Sequence, residues 1–171
     1  MSLVMPPSAT APLTLPGVPW LAVVPHGDSA TVTVGSVAVD VALIEPADGG
    51  PVAVEVAPEG VTLAQLAGAG GTDPLSALPP TLAARLGGVA ISHLRVSVDV
   101  AEHSLAGASI EVSATEPWEI VAGRLAVRDL DVTLAIDAQR ALTGSARGAL
   151  HIGSVDVPVG WAGRRPRTRG R

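Results

Sequence analysis

Two alternating stretches, thirty-six residues apart, constrain this chain more than anything else in it. Val89 and Ile91 are followed by Leu94, Val96, Val98 and Val100; Leu125 and Val127 are followed by Leu130, Val132, Leu134 and Ile136. An apolar period of two is what a strand with one buried face requires. Both stretches shift phase at the same place, Ser92-His93 in the first and Arg128-Asp129 in the second. One extra residue in an alternating strand sends every later side chain to the other face, unless a bulge or short turn absorbs it. A shared irregularity at a shared position points to a duplicated strand unit more strongly than shared valines do.

A second pair of matching segments lies outside the first. Thr31–Val41 aligns with Ala149–Val159, apolar position for apolar position, around Gly35-Ser36 in one and Gly153-Ser154 in the other. A Gly-Ser pair between alternating runs predicts a type II′ hairpin, because Gly accepts the positive φ at the first central position. Pro158 has no N–H to give to a ladder, so its strand should be an edge. Further strands are expected at Trp20–Val24, ending at Pro25, and at Val52–Val56. The return strands should run at about 105–114 and 142–152. Ala101–Ser104 and Ala138–Ala141 form the matching turns, and Pro117-Trp118 and Gly160-Trp161 close the two units.

One helical insert interrupts this pattern, at about 62–87. Thr62 is placed to cap a short helix through Leu63 and Leu66 that stops at Gly68. Asp73-Pro74 reads as a cap followed by proline at the first helical position. Pro79-Pro80 interrupts, and Thr81–Leu86 adds another turn or two. Such short pieces do not hold alone and should plug or cross the end of a sheet. The expected organisation is a Pro-rich N-terminal arm or loosely docked strand over 1–19, a single β-rich domain over 20–163 and a basic tail over 164–171. The expected fold class is mainly β: antiparallel sheets, as a sandwich or partly open barrel, built from a duplicated strand unit with a small helical insert.

The core must be aliphatic, because the chain has no Phe, Tyr or Cys and only three Trp (Trp20, Trp118 and Trp161). Without cysteine there is neither a disulfide framework nor a thiolate metal site. The first residues lack a basic segment followed by a continuous apolar one, so no secretory signal is expected. No apolar run reaches the ~18 residues of a membrane span. A cytoplasmic protein is the expectation, and incorporation into an exported particle is compatible with it. The net charge of −5 is uneven: residues 164–171 hold five of the eleven arginines and no carboxylate, so the remainder carries −10.

Reactive groups are sparse. His93 and His103, near Asp99 and Glu102, match no metal-ligand spacing, and solvated histidines are favoured over ligands. Gly144-Ser145-Ala146-Arg147-Gly148 lacks the spacing of a nucleophile elbow and reads as a flexible or closely packed strand segment. Gly68-Ala69-Gly70-Gly71 has no following Lys and reads as a turn, not a phosphate loop. Asp129 and Asp131 alternate onto one face, where solvation is favoured over cation binding. No pair of residues makes a catalytic signature, no cofactor is expected, and the chain is not expected to be an enzyme. The basic tail reads first as a disordered end that aids solubility or folds back onto the acidic body; read as a contact for an anionic partner, its candidate residues are Arg164, Arg165, Arg167, Arg169 and Arg171. Nucleic acid is disfavoured as its target, because no aromatic residues interleave and the rest of the chain is acidic.

From Leu63-Ala64-Gln65-Leu66, through Leu78-Pro79-Pro80, Leu94–Val98 and the Pro117-Trp118-Glu119-Ile120 corner, to the hairpin ending at Val159, the order of elements resembles a known group. It is similar to the β-rich repeat modules of large actinobacterial and cyanobacterial proteins, some encoded near phage-tail-like contractile injection systems. The resemblance covers a little over half the chain and carries no assigned chemistry with it; exposed edge strands, the Pro-rich arm and the Arg tail are what an assembly module would use, by strand addition to a neighbour. The leading expectation is a non-catalytic module for assembly and protein–protein contact, a component of a phage-tail-like contractile injection assembly among the options, with other proteins, copies of itself among them, as partners. The alternative is a carrier that holds a lipid or other apolar ligand in a groove of the Val- and Leu-rich sheet.

Overall fold

The computed structural model describes residues 11–43, 48, 50–99, 101–139 and 141–164. They form eleven strands and a small helical insert. The first four strands are β1 (Leu13–Leu15), β2 (Val18–His26), β3 (Ser29–Val34) and β4 (Val37–Ala42), and they make one antiparallel sheet in chain order. The others are β5 (Val52–Val56), β6 (His93–Asp99), β7 (Ser104–Ala114), β8 (Trp118–Val121), β9 (Leu125–Asp137), β10 (Leu142–Ile152) and β11 (Val155–Arg164). They form a seven-stranded antiparallel sheet ordered β11-β10-β9-β7-β6-β5, with β8 paired to β9. The two sheets share one aliphatic core and neither closes on itself, so the architecture is a sandwich.

The two repeated stretches occupy like positions. β6 and β9 flank β7, one on each side, and Leu94 and Leu134 both stand opposite Ile110. Leu94, Val96 and Val98 on one strand, and Leu130, Val132, Leu134 and Ile136 on the other, all enter the core. Both turns are tied by the last aspartate of their strand. Asp99 accepts a hydrogen bond from the Glu102 N–H at 3.0 Å; Asp137 accepts from the Gln139 and Ala141 N–H groups at 2.9 and 2.8 Å. The phase shifts, however, have different causes. At Arg128-Asp129 the strand is continuous and carries a β-bulge: Arg147 pairs with Asp131 but Ala149 pairs with Arg128, and Asp129 takes a φ of 50°. Gly148 lies across from the bulge, where a Cβ would crowd the Arg128 carbonyl oxygen. At Ser92-His93 the strand is only beginning, after an isolated bridge between Thr62 and Ala90.

Both predicted hairpins are present. Val34 pairs with Val37 across Gly35-Ser36, and Ile152 with Val155 across Gly153-Ser154. The glycines have φ of 61° and 63° and neither serine has positive φ, as type II′ turns require. β11 is an edge strand, as Pro158 demands. Two boundaries differ from expectation. β2 continues through Pro25 to His26, because β1 reaches only as far as Val23, so the missing proline donor has no neighbouring strand to serve. The sheet also starts at Leu13 rather than Trp20: within the expected arm, Leu15 and Val18 are core residues.

The insert contains helix α1 (Leu63–Gly68), a 3-10 turn (Pro74–Ala77) and helix α2 (Pro80–Leu86). Thr62 caps α1 in a reciprocal box with Gln65, the threonine side chain accepting the Gln65 N–H and the Gln65 side chain accepting the Thr62 N–H. Asp73 accepts the Leu75 N–H at 2.9 Å, with Pro74 at the first helical position. Leu63, Leu66 and Leu86 are fully buried, so the insert is part of the core. The Gly70-Gly71 turn fastens it to the first sheet. Thr72 donates its N–H to the Gly17 carbonyl at 2.6 Å, the Trp20 indole donates to the Thr72 carbonyl at 3.3 Å, and a Cβ at Gly71 would collide with Gly17.

Candidate interaction surface

The inner face of the seven-stranded sheet is longer than its cover. Cross-strand rows on this face can be read from the register. Val112, Val132, Ala146 and Trp161 stand side by side, the first three buried. Beyond Leu130 and Gly148, the row Trp118–Val127–Leu150–Val157 continues the same face across β8, β9, β10 and β11. The row Val121–Leu125–Ile152–Val155 lies at its end. These last rows carry no charged residue; Val127 is buried and Trp118 and Leu150 pack against the core, while the positions beyond them are open to solvent. Exposure is 48% at Val121, 49% at Ile152, 57% at Val155, 42% at Val157 and 39% at Val159, with Ile120 beside them at 51%.

The sequence builds this surface with the hairpin it uses elsewhere in the core. In the β3–β4 hairpin, Val32 and Val34 are fully buried, and Val37, Val39 and Val41 pack against the core. Their counterparts in the β10–β11 hairpin are Leu150, Ile152, Val155, Val157 and Val159. One copy of the motif packs into the core; in the other Leu150 still packs against the core while Ile152, Val155, Val157 and Val159 are exposed. Trp161 marks the border between covered and open surface. Its indole lies over Gly144 and Gly163, which have no side chains to obstruct it, and the 3-10 turn reaches the same spot through the Ala77 carbonyl.

The edge of this surface lacks one of the donors that strand addition would use. The two-residue turn makes Ile152 and Val155 a hydrogen-bonded pair, so alternate pairs, Ala149–Pro158 among them, turn their N–H positions away from each other. Pro158 therefore removes a donor from the free side of β11, where a further strand would pair.

The opposite face is polar and small. Ser109, Thr133, Thr143, Ser145 and Ala162 line shallow open depressions, and Glu111, Asp131 and Arg147 line another. An Arg95–Glu55 ion pair at 3.5 Å and a His151–Asp156 contact at 2.6 Å span neighbouring strands there. His93 opens β6 while His103, with φ of 49°, follows its far end, so the strand separates the two histidines. Among the described residues no three His, Asp or Glu side chains come together as a metal site. Asp129 and Asp131 are exposed, the first within the bulge. Gly144–Gly148 is a closely packed strand segment, under Trp161 at one end and against the bulge at the other. Among the described residues no helix is long and apolar enough to cross a membrane.

Of the tail arginines, Arg164 ends β11 opposite Thr143, while Arg165, Arg167, Arg169 and Arg171 lie outside the described residues. Sequence reasoning did not single out the valines of β11, because nothing in their alternation differs from that of β4. The described residues thus form a two-sheet antiparallel β sandwich with an apolar end that no other described element covers. Comparison with family models, with curated proteins and with solved structures finds no match to this chain.

Proposed function

We propose that this chain is a non-catalytic β module that works by contact with other proteins, through the uncovered end of its long sheet. The observation that carries this reading is the exposed run Ile152, Val155, Val157 and Val159, on a hairpin whose sequence counterpart is packed into the core. A contiguous run of exposed aliphatic side chains on one face is the kind of patch that marks a contact site. Aliphatic side chains, two flanking tryptophans and no charge within the patch suit the centre of a protein interface. The finer reading, a component of a phage-tail-like contractile injection particle, rests on the resemblance alone, and is tested by whether the chain sediments with such particles from its source.

The carrier reading draws on the same surface. Leu63, Leu66 and Leu86 are fully buried among the described residues, and the open apolar end is the surface on which a ligand would lie. Native mass spectrometry of the full chain separates the two. The contact reading predicts the bare polypeptide mass in every oligomeric species. A stoichiometric apolar adduct that disappears in Val157→Glu would transfer the function to ligand carriage.

A further inference from the structure

We draw no further inference here: the strongest candidate, the exposed apolar patch of Ile152, Val155, Val157 and Val159 at the β11 end of the seven-stranded sheet, belongs to the surface already described, and nothing in the structure shows what covers it.

Discussion

Gly144 and Gly163 leave room for a single indole. A Cβ at Gly163 would fall on the Trp161 ring, and one at Gly144 would press on Trp161, Leu134 and the Ala77 carbonyl oxygen together. Backbone on one side and a packed leucine on another cannot yield, so Gly144→Val should destabilise the fold by about 2 kcal/mol, as overpacking does. Urea unfolding measures the loss, and a red shift of the tryptophan emission reports the displaced indole. Asp129 is held at φ 50° by the bulge, a conformation aspartate tolerates and a β-branched residue does not. Asp129→Val should cost about 1–2 kcal/mol while Asp129→Gly is neutral or stabilising. The apolar phase shift at Arg128-Asp129 called for a bulge or a short turn, and the structure has the bulge. The same shift at Ser92-His93 was legible as a pattern but not as a cause: alternation records which face a residue takes and not whether its neighbour is already in a strand.

At the scale of elements, the tightest sequence signals were those with a local mechanism. Gly-Ser turns appear where positive φ was needed, Asp73-Pro74 opens a helical turn, and Thr62 caps α1. The Gln65 half of the capping box was not anticipated, although its position three residues after the cap was the signal for it. Thr62→Ala should cost about 1 kcal/mol, read as a lower midpoint in chemical denaturation. The strand β1 was missed as a defined element, because three residues flanked by prolines carry too little alternation to register, yet Leu15 is core. The two hairpins give a matched comparison. Val34 and Ile152 hold equivalent places in the sequence, one fully buried and the other 49% exposed. Threonine at Val34 should cost about 1–3 kcal/mol, from a hydroxyl buried without a partner. Threonine at Ile152 should change the stability of the dilute protein by no more than about 0.5 kcal/mol.

For the molecule as a whole, the decisive feature is a mismatch between two layers. A four-stranded sheet and a helical insert cover one part of a seven-stranded face, and the long strands β9, β10 and β11 run on beyond it. Nothing in the chain could announce this, because Val155, Val157 and Val159 obey the same alternation as Val37, Val39 and Val41. Whether an apolar face is covered depends on which sheet lies opposite, and that is a property of the assembled layers alone. Methyl NMR of the dilute protein with a soluble paramagnetic agent reads this mismatch most directly. The predicted result is strong broadening of the methyl signals of Ile152, Val155, Val157 and Val159, with those of Val32 and Val34 untouched. Equal protection of both hairpins in the monomer would contradict the account, because it would mean that the chain covers this face itself.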